Sequence, residues 1–318
     1  MKQLRVAFFV LLLIQNYGIL LHAGPNDGFV TTKGVQLLLN GKPYHARGFN
    51  GYWMMSVAFD PSQRDKVSTA FQDATKHGLT IARTWAFSDG GVRPLQSSLG
   101  SYNEQMFQGL DFVISEAKKY GIKIVLSLVN NYADFGGKKQ YAYWALGKRR
   151  NSLTRIAYKD DPAIMAWELM NEPRCPSDIS GKTIQAWIAE IAPYLKSIDG
   201  KHLLEVGLER LLGSSDESQL SFLDSWLNDH IQDAQNILHK PVLIAEFGKS
   251  LKLSGIAQRD QLFNTVYSTI YLNARGGGTA VGGLFWQLLA AGMDSFRNVY
   301  EVILSKNSST AILIAQES

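Results

Sequence analysis

Cysteine is almost missing: Cys175 stands alone in 318 residues. A single thiol forms no internal disulfide, so the fold must be held by its core. A nucleophilic Cys175 would need a neighbouring base, and no such role is assigned. Long basic runs are also missing, the longest being Lys148-Arg149-Arg150, in a chain of net charge +4. That density is too low for the basic patch that nucleic-acid binding requires, although a mildly basic surface suits retention on acidic polysaccharide. The six histidines include His77, His230 and His239 in helical segments, and no pair has zinc-ligand spacing. No Gly-rich phosphate loop follows an early strand. Low-complexity tracts and residue-level repeats are absent too. Neither a metal nor an organic cofactor is expected.

What is present is an ordinary globular composition, 46% hydrophobic and 19% charged, enough for a substantial core. The N-terminus is more specific. Met1-Lys2-Gln3-Leu4-Arg5 is basic, Val6 to Leu21 is mostly apolar, and His22-Ala23-Gly24-Pro25 supplies small residues before a polar stretch. That order reads as a signal peptide over residues 1–23, followed by a single domain over 24–318. The apolar run is short for a membrane span and is broken by Gln15-Asn16. After cleavage no membrane attachment is expected. Asn307-Ser308-Ser309 is a glycosylation sequon.

Along the rest of the chain, apolar strands alternate with amphipathic helices. Strands are expected to start at Tyr44, Leu79, Ile122, Ala163, His202, Val242 and Val281. Val35 to Leu39, ended by Asn40-Gly41, reads as an antiparallel lead-in to the first of them. Helices are expected over 60–77, 102–120, 180–198, 215–238 and 257–274, several closed by a glycine. Such alternation argues for an α/β protein with a parallel sheet covered on both faces. Polar and aromatic residues collect where strands end, at Arg83-Thr84-Trp85, Asn130-Asn131, Asn171-Glu172, Glu246 and Trp286. In a (β/α)8 TIM barrel that rim carries the active site. Seven strands are readable where eight are needed. After Leu208 the chain passes through Glu209-Arg210-Leu211-Leu212-Gly213 straight into a helix. Between Val129 and Ala163 only 141–158 has some helical character.

Two glutamates carry the chemistry. Glu172 ends the strand Ala166-Trp167-Glu168-Leu169-Met170-Asn171, and Pro173 stops the ladder behind it. Glu246 ends Val242-Leu243-Ile244-Ala245 and precedes Phe247-Gly248. Retaining glycoside cleavage needs two carboxyls about 5 Å apart, one as nucleophile and one as acid/base. The alternative is that both are structural, paired with Arg83 and Lys249. Trp85 and Trp286 suit the apolar faces of sugars but would equally suit a core. Asn130 and Asn131 are read as turn caps and left outside the site.

Ile81-Ala82-Arg83-Thr84-Trp85, Trp167-Glu168-Leu169-Met170-Asn171-Glu172-Pro173, Ala245-Glu246-Phe247-Gly248 and Leu284-Phe285-Trp286-Gln287 together resemble strands two, four, seven and eight of glycoside hydrolase family 5. Gly48-Phe49-Asn50-Gly51-Tyr52-Trp53, Leu128-Val129-Asn130-Asn131-Tyr132 and Asn171-Glu172-Pro173-Arg174-Cys175-Pro176 are similar to its plant endo-β-1,4-mannanases. The resemblance covers essentially all of the mature chain. It implies a family 5 TIM barrel with Glu172 as acid/base and Glu246 as nucleophile. It implies that Arg83 orients the nucleophile, that Asn171 bonds the sugar 2-hydroxyl, and that Trp286 and Trp85 line the sugar subsites. It also implies a secreted, extracellular, monomeric enzyme of the cell wall whose partner is a mannan-type polysaccharide. The chain departs from the family in one place that matters. Members carry His-x-Tyr at the tip of strand six, where the tyrosine contacts the nucleophile, and no His-x-Tyr occurs here. The gap falls where the strand count fails, and the segment after Trp144-Ala145-Leu146 is also short. The chain therefore reads as an extracellular β-mannanase with internal deletions, a barrel lacking strand six; the alternatives are a catalytically impaired or non-catalytic mannan-binding relative, a product that does not fold, or another family 5 specificity such as cellulase.

Overall fold

The computed structural model describes residues 8–12, 28–89, 93–98, 100–131, 135, 153, 156–173, 175, 178, 181–206, 208–210, 216–252, 254–306 and 308–316. Its strands are β1 Phe8–Leu12, β2 Val30–Lys33, β3 Gln36–Leu39, β4 Lys42–Pro43, β5 Ala46–Asn50, β6 Ile81–Trp85, β7 Gln96–Ser98, β8 Ser101–Tyr102, β9 Lys123–Ser127, β10 Ile164–Glu168, β11 Leu203–Glu205, β12 Leu208–Arg210, β13 Val242–Phe247 and β14 Ala280–Phe285. Its α-helices are α1 Met54–Ala58, α2 Arg64–Lys76, α3 Glu104–Lys119, α4 Lys182–Ile198, α5 Asp216–Asp233, α6 Ile256–Arg275 and α7 Ser309–Gln316.

Helices α2 and α3 form where their signals stand. Asp60 accepts a hydrogen bond from the Ser62 backbone and Pro61 opens the turn that leads into α2, while Gly78 beyond it adopts φ +72°. Asn103 caps α3 through Gln105 N and Met106 N. The buried face of α3 is Met106, Phe107, Leu110, Val113, Ile114 and Ala117, at the spacing of a helix packed on a sheet. A Cβ on Gly109 would lie 2.7 Å from the Met55 carbonyl oxygen, so the glycine lets α3 close on α1.

The main sheet has the order β11-β10-β9-β6-β5-β14-β13-β1-β12. From β11 to β13 the ladders are parallel, giving the seven strands read from the sequence. The fold is a (β/α)8-type barrel, curled and incomplete. The hairpin signal at Asn40-Gly41 joins β3 to β4, and β3 also pairs with β2. These strands form a separate small sheet rather than a lead-in to the barrel.

Beyond the short helices α1 and α7 and the β7–β8 hairpin, two strands of the main sheet were not expected from the sequence. Leu208–Arg210, read as part of a strandless connection, forms β12. Phe8–Leu12, read as part of the leader, forms β1, antiparallel to both β13 and β12. Strand β12 thus runs parallel to β13 with β1 between them. The sheet order begins on β11 and ends on β12, strands that only residues 206 and 207 separate in the chain, and the seam lies between these two edges. Among the described residues no ladder crosses it. A short apolar segment finds a place here because β13 would otherwise present a row of unpaired backbone groups. The region around 141–158 lies mostly outside the described residues, as does Asn307.

Apolar burial falls into two shells. Phe49, Phe71, Trp167, Leu227, Phe247 and Phe263 belong to the shell between sheet and helices. Ala46, Ile81, Val125, Ala166, Leu203, Leu243 and Leu284 fill the barrel interior. Because strand side chains alternate with period two, the next inward residues after Ile81, Val125, Ala166 and Leu203 are Arg83, Ser127, Glu168 and Glu205. All four are buried. The strands therefore carry an apolar plug below and a polar layer above it.

Candidate active site

Arg83 is the hub of that layer. Only 1% of it is exposed, and its five N–H groups all find acceptors. Nε donates to Glu168 Oε2 at 2.5 Å and Nη2 to Glu168 Oε1 at 2.7 Å, a bidentate pair. Nη2 also donates to Asn171 Oδ1 at 2.6 Å. Nη1 donates to Asn50 Oδ1 at 2.8 Å and Glu246 Oε2 at 3.2 Å. The guanidinium fork thus ties β5, β6, β10 and β13 together at one level.

Glu246 is 7% exposed at the end of β13. Burial pushes its carboxyl up to about 8; Arg83 opposes this, and the charges of Glu172 and Glu168 add to it. Glu172 therefore stands close enough to Glu246 for the two charges to repel, at the same rim. Its backbone lies in the left-handed region, φ +51°. A non-glycine residue held there stores strain of order 1–3 kcal/mol, which clusters at functional positions. Pro173, directly after it, is buried.

Asn171, directly before Glu172 in the chain, joins the same network. Its Oδ1 accepts from Arg83, and its Nδ2 donates to Asn130 Oδ1 at 3.1 Å. Asn130 was set aside in the sequence as a turn cap. It is instead a buried member of the network, bridged to Asn171 at the strand tips. Asn50 is a second member that the sequence reading passed over. Its Nδ2 donates to Ala245 O at 2.9 Å and to Leu284 O at 3.3 Å, tying the tip of β5 to its neighbours. Glu168, Ser127 and Glu205 were missed as well. Their signal was available, since an acid inside an otherwise apolar buried strand must have a partner.

Trp85 and Trp286 are half-buried beside these groups. Tyr52 stacks on Trp286 with ring centres 5.5 Å apart and planes at 11°, and lies 4.9 Å from Trp85. Phe135 and Phe87 extend the cluster at 4.9 and 5.0 Å from Trp85. A Cβ on Gly248 would lie 2.6 Å from the Trp286 carbonyl oxygen, so the glycine after β13 brings the strand end against the tryptophan. The arrangement is a pair of acids beside an aromatic wall, which suits a ring with one polar edge and one apolar face. Lys249 is also buried, at 2% exposed. Among the described residues no His, Cys, Asp and Glu cluster could hold a metal ion, and no helix is long and apolar enough to cross a membrane.

Comparison with known proteins gives a consistent picture. The family model for glycoside hydrolase family 5, β-mannosidase-like, matches residues 27–149 and 145–231. Mannan endo-1,4-beta-mannosidase 7 of Arabidopsis thaliana is 52% identical over 92% of this chain and 85% of its own length. Mannan endo-1,4-beta-mannosidase 1 of Oryza sativa subsp. japonica is 46% identical over 98% and 90%. Both alignments, at 368 and 390 positions, are longer than this 318-residue chain, so the relatives carry residues opposite gaps here. Among solved structures, the family 5 mannosidase of Rhizomucor miehei superposes with a TM-score of 0.75 at 20% identity, over 92% of this chain and 97% of its own. The endo-1,4-beta-mannanase of the same organism gives 0.73 at 26%, over 91% and 98%.

Proposed function

Because this chain belongs to glycoside hydrolase family 5, of the mannosidase type, we propose that its rim is an endo-β-1,4-mannanase site, working by retaining double displacement and weakened by the loss of strand six. One observation carries this reading: Arg83 bonds the strand-end Glu246 at 3.2 Å while the Glu172 charge reaches the same carboxyl. Two acids at one rim, one of them clamped by a cation, fit the division into nucleophile and acid/base. The substrates are mannan, galactomannan and glucomannan.

In the first step the ionised Glu246 attacks the anomeric carbon. Glu172 gives its proton to the departing glycosidic oxygen, leaving a glycosyl ester on Glu246. In the second, Glu172 takes a proton from water, the oxygen attacks the same carbon and Glu246 leaves as carboxylate. Asn171, held by Arg83 and Asn130, bonds the 2-hydroxyl. Trp286 and Trp85 carry the apolar faces of the sugars, with Tyr52 and Phe135 behind them.

The weakness has a physical cause. Resemblance to the family places a tyrosine at strand six against the nucleophile, and this sequence has no His-x-Tyr. Without that donor, burial dominates and holds Glu246 near 8. At pH 6 the ionised nucleophile is then a minority form. Misplacement of the carboxyl by about 1 Å would cost a further hundredfold or so.

Incubation of the purified chain with mannan, followed by assay of new reducing ends, tests the reading. Turnover should be far below that of an intact relative, and both Glu246→Ala and Glu172→Ala should abolish it. Activity that survives Glu246→Ala means that the nucleophile is misassigned. We also propose that the chain is a secreted, extracellular protein of the cell wall that loses its leader near residue 24. Sequencing from the N-terminus of exported material checks this, and a retained Met1 on an intracellular chain refutes it. Leader removal would take β1 out of the seam and leave the edge of β13 unpaired beside Glu246.

A further inference from the structure

Glu205 is the β11 partner of Glu168 in the parallel ladder, and neither is exposed at all. Register partners on neighbouring strands point to the same face about 4.8 Å apart. Glu168 already accepts three hydrogen bonds: Oε1 from Arg83 Nη2 and from Ser127 Oγ at 2.6 Å, and Oε2 from Arg83 Nε, which leaves one acceptor position on Oε2. Glu205 stands in contrast, since neither of its oxygens receives a donor from the protein. Two groups that only accept cannot sit together in a dry interior unless one carries a proton. Charge leads to the same conclusion. The Arg83 guanidinium faces three buried carboxyls, Glu168, Glu246 and Glu205, and a single cation cannot balance three anions in a medium of low dielectric.

The proton is assigned by the surroundings of each acid. Burial works against an ionised Glu168, but Arg83 outweighs it and keeps that carboxyl below its ordinary range. Burial and the Glu168 charge both push Glu205 far above it. Glu168 is therefore the anion and Glu205 the acid.

We propose that Glu205 is a neutral, proton-donating positioning residue, which holds Glu168 in its clamp on Arg83 and, through Arg83, sets the place of Glu246. The reaction breaks and forms no bond at Glu205. An ionised Glu205 would compete for the guanidinium and draw it off Glu246. A neutral one leaves Nη1 on Asn50 and Glu246, as observed. This inference rests on the reading of Glu246 as nucleophile.

The test is spectroscopic and uses the full-length chain well above pH 8, where Glu246 is mostly ionised. The wild type should retain an infrared carbonyl band of a protonated carboxyl that disappears in Glu205→Gln. The same variant should keep the thermal midpoint and the Glu246 titration, because an amide supplies an equivalent donor. Glu205→Leu removes the donor and should shift the Glu246 titration to higher pH as Arg83 loses its seat. Absence of the band in the wild type overturns the proposal, as does a Glu246 shift in Glu205→Gln as large as in Glu205→Leu. If the leucine variant does not fold, the band and the glutamine variant decide. None of these measurements needs turnover. The band without mannan hydrolysis sinks the catalytic reading and leaves Glu205 in place, while hydrolysis without the band sinks the positioning role alone.

Discussion

The arc from β5 through β6 and β9 to β10 and the seam around β13 are built from the same kinds of strand and end in different states. On the arc, the inward polar groups meet partners on other strands of the arc: Arg83 with Glu168 across β9, Glu168 with Ser127, Asn171 with Asn130. At the seam, Glu246 has Arg83 on one side, while β13 takes as its other neighbour a short antiparallel strand from the far N-terminus. The difference shows in the acids. Glu168 is held ionised and Glu246 is pushed towards neutrality, although the same guanidinium touches both. On the proposed reading of Glu246 as nucleophile, loss of a strand would therefore weaken chiefly the carboxyl at the seam and leave the arc intact.

The largest expected effect comes from repairing the seam. Insertion of a parallel strand with a His-x-Tyr tip after Leu208 should raise mannan hydrolysis by about a hundredfold or more. If turnover does not change, strand six is not what limits this chain, and the contrast between arc and seam fails.

Breaking the arc should be nearly as severe. Arg83→Leu leaves buried carboxyls without their cation and should cost about 3–5 kcal/mol in urea unfolding. A loss near zero would mean that the network is not the keystone of this rim.

The two regions should also respond to pH in opposite senses. Glu246 is raised from 4.5 to about 8, so its contribution to stability is complete below its ordinary value and is lost as pH rises to about 8. Ionisation over the same interval should raise the rate. Asp199, beneath the arc, is the reverse case. Burial opposes its charge, but His202 and the Trp167 indole N–H hold it at about 2. That contribution is present above its ordinary value of 3.8 and is lost as pH falls through about 2. Thermal midpoints across pH should lose their alkaline slope in Glu246→Gln and their acid slope in Asp199→Asn.

A smaller effect is expected from Val10→Pro in the unprocessed chain. Proline removes one backbone donor from the β1 ladder and should lower stability by about 1–3 kcal/mol. No change would mean that β1 contributes nothing to closing the seam. The smallest effect belongs to the surface pair of Lys201 and Asp160, 2.7 Å apart and half exposed. Lys201→Ala should alter the unfolding free energy by less than about 1 kcal/mol.

Much of this molecule was legible as pattern. Ile122 to Val129 and Val242 to Phe247 are mostly apolar, as strands covered on both faces must be, and each appears within a residue or two of its expected start. The missing sixth parallel strand was legible because strand and helix must alternate, and a connection of a few residues cannot hold a full unit. Asn50, Asn130 and Glu205 were not legible as site residues. An amide at a strand tip or an acid in an apolar run says that a partner is needed without saying which residue supplies it. Strand β1 was hidden for a different reason: an apolar run after a basic start has the same composition whether it directs export or fills a sheet edge.

The sequence by itself determined the family, the parallel strands, the two rim glutamates and the lack of strand six, because periodicity and strand-end chemistry are local properties of the chain. Only the tertiary structure decided which carboxyl Arg83 holds ionised, which acids carry protons, and what lies against β13. Those outcomes depend on burial and on charges more than eighty residues apart in the chain brought within about 3 Å, distances at which a low dielectric makes each neighbour decisive.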